Sequence, residues 1–575
     1  MALQNHANAH RFVFCWVAMS FERTVARPGA PSSVPSGQGL EELVIGDRQI
    51  ARPANALTFA GWLIPTIGQL IFTICLAVVL MVGPKFVSAD GDASRHLTVG
   101  EYMLSNGILR QDVFSHTKAG EEFVPYEWLA ETASALTYRV AGLAGPVLLH
   151  GAAIALTFAL LYSHLRRRGH PLLLALAVTL LAAASSALHW LARPHVFTFL
   201  GTAVFASALD LWYRRQTRRR ALWLLPAVMV LWVNAHGGFL IGLILVAAYA
   251  GADIMRWLAR DGFEAEAARD RLRALALPAI ATIGATLVNP AGPGLYAHVT
   301  GYFGKRLLVN RTHEYLSPDF HEADALPFLA MLLGLILCFG WSRIRPSLHE
   351  GLLCVGFTYF ALHSARNIPL FAIIAAPIVA AQLEAFALPS LATRWHRVVG
   401  TVADFVSRRN EVYGRMEDRA RGHLWPITAV GGLVLAAAFQ VHSGVEPLNV
   451  RFDSARQPVA AAEYLKANPP EGNGYNELVW GGYLLHQLWP EKQVFIDGQT
   501  DFYGEELTRD YLRVAELSNG WQSVLDHHDV RWVIYPTNTP LVRALAAMPD
   551  WQVTFQDETA TVLRRPSDRL HLSAR

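Results

Sequence analysis

Two carboxylates and an imidazole stand close together in Ser88-Ala-Asp-Gly-Asp-Ala-Ser-Arg-His96: Asp90, Asp92 and His96. They follow directly on the first long apolar run of the chain. Acidic side chains beside a bilayer surface, with a histidine one helical turn on, are equipment for acid/base or metal-assisted chemistry. The plainer reading is a polar loop ending one helix, with Asp92 capping the next. Asp90, Asp92 and His96 could hold a divalent metal against diphosphate oxygens. His96 could equally pack against the first helix, so no cofactor is firmly expected.

Further polar groups stand at helix junctions. Asp112 follows a glycine turn. His189-Trp-Leu-Ala-Arg-Pro-His195 brings Arg193 and His195. Asn234 and His236 lie in a tight turn, Arg311-Thr-His-Glu-Tyr315 in a long loop, and His363-Ser-Ala-Arg-Asn367 supplies Arg366 and Asn367. Any one Arg or His near a helix end can snorkel or cap carbonyls. Together, guanidinium and imidazole groups are what holds a phosphate. Arg193, Arg366 and nearby imidazoles would suit a clamp on a lipid phosphate, with a carboxylate at Asp90 or Asp92 taking a proton from an incoming hydroxyl.

The elements that must carry these groups are membrane helices. The 575 residues are 53% hydrophobic and only 17% charged, where a soluble chain carries about 25% charged residues. Apolar runs of about 20 residues recur, as spanning helices require. The first is roughly Leu57–Gly83. Others fall at about 145–163, 171–188, 196–212, 221–234, 238–255, 274–288, 325–341, 349–363, 368–386 and 424–440, roughly eleven spans by the window argument. Between the first two lies an outer loop, 84–143, with two short amphipathic helices at Asp92–Leu104 and Tyr126–Leu136, expected to lie on the membrane face. No basic patch with interleaved aromatics suggests nucleic acid. The four cysteines form no CxxC pair, so neither a disulfide framework nor a thiolate metal site is indicated.

Lys and Arg set the orientation. One alternate set of loops contains Arg166-Arg-Arg168, Tyr213 to Arg220, Arg256 to Arg273, Arg343 with Arg345, and Arg394 to Arg421. These belong in the cytoplasm. The other set carries the polar groups named above and belongs outside. The N-terminus, 1–55, reads as a disordered cytoplasmic tail. The transmembrane domain covers 56–440. Residues 441–575 lose the long apolar runs and alternate strand and helix patterns, which predicts an extracytoplasmic α/β domain. Strands are expected at Asn476–Trp480, Gln493–Ile496, Arg531–Tyr535 and Trp551–Gln556. Helices are expected at Pro458–Ala467, Glu505–Leu517, Gly520–His527 and Leu541–Met548.

This layout resembles the GT-C superfamily of integral-membrane glycosyltransferases. Within it the chain looks most similar to the bacterial relatives of protein mannosyltransferases and lipid A aminoarabinose transferases. Asp90, Asp92, His96, Gly100, Gly107 and Asp112 match their pattern of acidic pair, His, Gly, then Gly and Asp. The His-Pro-Pro-Leu run that often follows is replaced by Asp112-Val-Phe-Ser-His-Thr. Val479-Trp-Gly-Gly-Tyr483 is loosely similar to a region of oligosaccharyltransferase catalytic subunits but lacks its second Trp and Asp. The resemblance implies transfer of a sugar from a polyprenyl-phosphate-linked donor to a glycan, lipid or protein acceptor. The transfer would take place on the outer face of a bacterial inner membrane, with Asp90 or Asp92 as general base. Many lipid-monophosphate users of that group need no metal. Two other classes stay open. A lipid or solute transporter would place its ionisable groups near the midplane on repeated halves. A non-catalytic scaffold would merely anchor the outer domain.

Overall fold

In this computed structural model the described residues are 64–566, apart from 90, 216–218, 260–261, 302–303, 343, 386–404, 418–419, 421, 423–424, 426–427 and 436–449. The N-terminal tail and about half of the segment expected at 424–440 lie outside them, as does Asp90.

Apolar runs become helices where sequence patterning places them. Helix α1, Ile67–Met81, opens on a capping box between Thr66 and Gln69, which satisfies two of the donors a helix start leaves without partners. A short α2, Gly83–Ser88, leads to α3, Asp92–Asn106. Helix α4 is Trp128–Ala141, α5 Ala144–Arg167, α6 Leu172–Ser186 and α7 Val196–Arg215. Helices α8, Leu224–Ala235, and α9, Leu240–Ala259, are separate, divided by the turn Gly237–Phe239. Then follow α10, Gly262–Ala285, α11, Gly294–Gly301, and α12, Arg306–Arg311. Helix α13 is Leu326–Trp341, α14 Leu348–His363 and α15 Ile368–Glu384. Among the described residues six helices are long and apolar enough to cross a membrane, and α1 is a shorter apolar one. The chain is therefore a multi-pass membrane protein. Three further expected spans, at 221–234, 274–288 and 349–363, are realised as shorter or more polar helices.

The C-terminal part is a small mixed layer. It holds α16, Val459–Ala467, β1, Asn473–Asn476, α17, Gly481–Leu488, α18, Thr500–Ala515, and α19, Trp521–His527. It continues with β2, Val530–Pro536, α20, Pro540–Ala546, β3, Gln552–Gln556, and β4, Ala560–Arg564. The sheet order is β1-β2-β4-β3, with β1 parallel to β2 and the other pairs antiparallel. Two expectations shift here. The strand expected at Asn476–Trp480 ends at Asn476, because Glu477 accepts from the amides of Val479 and Trp480 and turns the chain into a 3₁₀ helix. The strand expected at Gln493–Ile496 makes only an isolated bridge, Ser115 to Val494. Strand β4 went unforeseen.

One face of this sheet does not stand alone. Val99, Met103, Leu109, Phe114 and Phe123 of the 84–143 loop share a buried core with Trp480, Leu484, Val494, Trp532 and Val562. The amphipathic face of α3 is thus covered by the C-terminal part of the chain, while α4 packs on α3 itself, where a Cβ on Gly100 would lie 2.1 Å from the Glu131 carbonyl oxygen. Backbone contact completes the joint. A Cβ on Gly482 would lie 2.1 Å from the Gly91 carbonyl oxygen, and one on Gly91 would lie 2.0 Å from that of Val479. Only glycine at these places lets α17 seat directly on the start of α3.

Candidate functional site

Helix α3 starts one residue earlier than a capping role for Asp92 requires. Gly91 is the N-cap and makes no side-chain cap bond, so Asp92 occupies the first helical turn. A carboxylate there is favoured by the helix dipole, and its oxygens remain available for tertiary partners. Oδ2 lies 2.7 Å from a guanidinium nitrogen of Arg193. The junction that carries Arg193 is hooked to α2 by the Ala192 amide, which donates to the Phe86 carbonyl at 3.1 Å. On its other side Arg193 reaches Glu314 at 3.4 Å, and Glu314 in turn meets Arg366 at 3.6 Å. Arg366 also stacks over the Tyr315 ring, 4.4 Å from its centroid. The loop bearing Glu314 is fastened to the α14–α15 junction, since Ser364 donates to the Glu314 carbonyl and the Ala365 amide to that of Leu316. Burial pushes the Glu314 carboxyl up, but Arg193 and Arg366 outweigh it and hold the group well below the ordinary carboxylate range.

A second string of charges runs beside the first. The His96 ring Nδ1 donates to Glu131 Oε1 at 3.0 Å and lies 3.8 Å from Glu127 Oε2. Burial opposes the charged form of His96, yet Glu131 and Glu127 prevail and raise its pKa. His236 approaches Glu127 from across the site, Nε2 to Oε1 at 3.7 Å. Its Nδ1 accepts from the Gly238 amide and lies 2.8 Å from the Thr198 hydroxyl. Nδ1 is therefore the acceptor nitrogen, and Nε2, facing Glu127, carries the proton. Glu127 is 8% exposed, and its carboxylate has no hydrogen-bond partner among the described residues. Its pKa is pushed up to about 7, first by burial, with Glu131 adding and His96 opposing. Arg95, buried, meets Glu131 at 3.7 Å and Asp497 at 3.3 Å, and it also donates to Gln499. The Tyr503 hydroxyl donates to Asp497. The strings touch at the C-terminal part of the chain, where a Cβ on Gly498 would lie 1.9 Å from Asp92 Oδ1.

Of the residues singled out from sequence, Asp92, His96, Arg193, His236 and Arg366 take part in these two strings. His195 lies beside them, with Nε2 donating to the His189 carbonyl at 2.8 Å and its ring 6.5 Å from that of His236. Asp112 is placed elsewhere in its chemistry. It accepts from the amides of Phe114 and Ser115 and from the Ser115 hydroxyl, and so holds its own turn. Asn367 donates to the Phe360 carbonyl at the end of α14. Asp92 and His96 point to different partners, Arg193 for one and Glu131 with Glu127 for the other. Among the described residues, the donor set at this site that could take a divalent ion is His96, Glu127 and Glu131, whose ligand atoms all lie within 4.8 Å of one another; a second set, Asp210, His349 and Glu350, lies elsewhere. Sequence reasoning passed over Glu127 and Glu131, although acidic residues four apart on an amphipathic helix share a face. It also passed over Arg95 and Asp497, whose meeting depends on how the C-terminal part packs on α3.

No family model matches the sequence, and no curated protein matches it. Solved structures do. The archaeal oligosaccharyltransferase AglB from Archaeoglobus fulgidus, in complex with an inhibitory peptide and a dolichol-phosphate, aligns at 12% identity with a TM-score of 0.47, over 81% of this chain and 69% of that one. ArnT from Cupriavidus metallidurans, bound to undecaprenyl phosphate, aligns at 13% identity with a TM-score of 0.46, over 87% of this chain and 98% of that one. Oligosaccharyltransferases are among the proteins the sequence resembles. At these identities and TM-scores, a functional reading has to rest on the side chains of the site.

Proposed function

We propose that the chain is a membrane glycosyltransferase that moves a sugar from a polyprenyl-phosphate-linked donor to an acceptor. In the orientation set by the Arg-rich loops, the reaction takes place on the outer face of a bacterial inner membrane. The observation that carries the reading is the pair of guanidiniums, Arg193 and Arg366, held on either side of one carboxylate, Glu314. Two guanidiniums converging on an anion are a phosphate clamp in geometry and charge. Glu314 occupies the place that phosphate oxygens would take when the donor binds. The imidazoles of His195 and His236 border the same space. Release of a lipid phosphate needs little acid assistance, so the chemistry asks mainly for a carboxylate near the acceptor hydroxyl.

Asp90 is the base that the resemblance implies, with Asp92 neutralised by Arg193 and suited to orienting the clamp. One observation favours a second assignment. Glu127 is a buried carboxylate without a side-chain hydrogen bond among the described residues, and its pKa near 7 suits a base at neutral pH. If a divalent ion is required, His96, Glu127 and Glu131 would hold it, and it would supply charge to polarise the diphosphate or the acceptor. The test is sugar transfer in membranes carrying Asp90→Asn or Glu127→Gln at matched expression. Loss in Asp90→Asn alone supports the first assignment, and loss in Glu127→Gln alone moves the base to Glu127. Full activity in both sinks a carboxylate base. A wild type that neither consumes nor hydrolyses a polyprenyl-linked sugar favours the transporter or scaffold reading.

A further inference from the structure

The Arg-rich ends of two membrane helices enclose a second charged site. Helix α7 begins just after His195, at the candidate transferase site, and ends some five turns later in Asp210, Tyr213 and Arg214. Helix α5 ends beside it in His164, Arg166 and Arg167, followed by Arg168. Between these ends lies a cavity of about 30 Å³, lined by His164, Arg167, Arg168, Ser207, Asp210 and Arg214, with Leu211 at its wall. A space of that size holds one or two waters, or the anionic oxygens of a phosphodiester whose remainder stays outside.

The charges of the lining do not balance. Arg168 donates to Glu350 at 2.8 Å and lies 3.8 Å from Asp210. Arg214 reaches Asp210 at 2.8 Å and Glu350 at 2.9 Å. These two guanidiniums and two carboxylates neutralise each other. Arg167 is exposed, and among the described residues it has neither an ion pair nor a hydrogen bond. It adds one uncompensated positive charge at the mouth of a polar cavity. Next to the cavity, Leu200, Val204, Ser207, Leu211 and Arg214 recur at helical spacing on one face of α7, and all are at least partly exposed. An apolar stripe thus leads along the membrane to a basic pocket. Basic pockets between transmembrane helices at the cytoplasmic boundary are where anionic headgroups bind.

We propose that this cavity binds the phosphodiester of an anionic phospholipid from the leaflet at the Arg-rich end, with an acyl chain along α7. The single excess charge matches the single charge of a phosphodiester, and the stripe distinguishes a lipid from a soluble anion. Arg167 makes the new charge-assisted contact, while Arg168 and Arg214 are already held in place by Asp210 and Glu350.

The test uses the full chain purified in detergent, with thermal unfolding followed after addition of phosphatidylglycerol, phosphatidylcholine or inorganic phosphate. Ligand that binds only the folded state raises the midpoint. Phosphatidylglycerol should stabilise the wild type, with at least tenfold tighter apparent binding than phosphatidylcholine, and inorganic phosphate should not. Arg167→Glu should unfold normally without lipid and lose the preference. Ser207→Leu, which fills the cavity, should lose it as well. Equal stabilisation by the two lipids, or a preference surviving in both variants, overturns the proposal. Equal stabilisation by inorganic phosphate makes the cavity a soluble-anion site and overturns the lipid assignment.

Discussion

Arg193 and Arg366 illustrate how little a single residue's identity says until its partners are known. Either could have snorkelled to the interface, as arginines near helix ends do. Both instead meet Glu314. A charge-assisted hydrogen bond is worth about 1.5–3 kcal/mol, so replacing either by Ala should weaken binding of a polyprenyl phosphate roughly ten- to hundredfold. Arg273→Ala, at an exposed position, should leave it unchanged. Equal affinity in all three proteins, measured by titration in detergent, would dispose of the clamp. Glu127 makes a separate prediction. Its carboxyl rises from an ordinary 4.5 to about 7 on folding, so the folded protein keeps a proton that the unfolded chain has released. That contribution is fully present below pH 4.5 and is lost as pH rises through 7. His96, also raised, acts in the same direction. Thermal stability should therefore decline across this interval in the wild type. In Glu127→Gln, which has no charge to bury, the decline should be shallower, and a parallel pH dependence in both proteins would show that Glu127 is already solvated.

At the scale of elements, α3 is the piece that both halves of the molecule grip. Its charged residues, Asp92, Arg95 and His96, reach three different parts of the chain: the His189–His195 junction, the C-terminal part and α4. The grip on its first turn depends on the Gly91–Gly482 approach, where there is no room for a side chain. Gly482→Ala should cost about 1–3 kcal/mol, the usual range for forced overpacking. It should also lower transfer activity more than the stability loss explains, because the tilt of α3 sets where Asp92 and His96 lie. Thermal unfolding and transfer rates measured on the same preparation decide this, and an unchanged midpoint would show that the helices simply separate. The periodicity of Asp92–Leu104 and Tyr126–Leu136 predicted α3 and α4, and their apolar faces imply burial. What covers α3 is supplied from residues 459–562, far along the chain, while α4 packs on α3. A surface helix on a bilayer and a helix under a second domain show the same amphipathic pattern.

For the molecule as a whole, the orientation remains the statement most open to direct test. Cysteines introduced at the exposed positions Ser105 and Ser518 of a cysteine-free protein should react with an impermeant thiol reagent in intact cells, and one at Glu266 should not. The reverse labelling would invert the topology, because it rests on the Arg-rich loops facing the cytoplasm. Local physics made much of this protein legible in advance. A helix must be apolar for a bilayer's thickness, so helix positions such as Ala144–Arg167 and Ile368–Glu384 follow from composition alone. The continuous apolar, β-branched and aromatic run within Arg531–Tyr535 reveals a buried strand in the same way. Residue type also singled out Asp92, His96, Arg193, His236 and Arg366 as polar groups at the ends of apolar runs. Only the tertiary structure decided their partners. Asp92 pairs with Arg193, Glu127 lies between two imidazoles, and Arg95 reaches Asp497 across some four hundred residues. Periodicity reports which face of an element avoids water, whereas an ion pair depends on how distant elements pack, and that information is spread over the whole core.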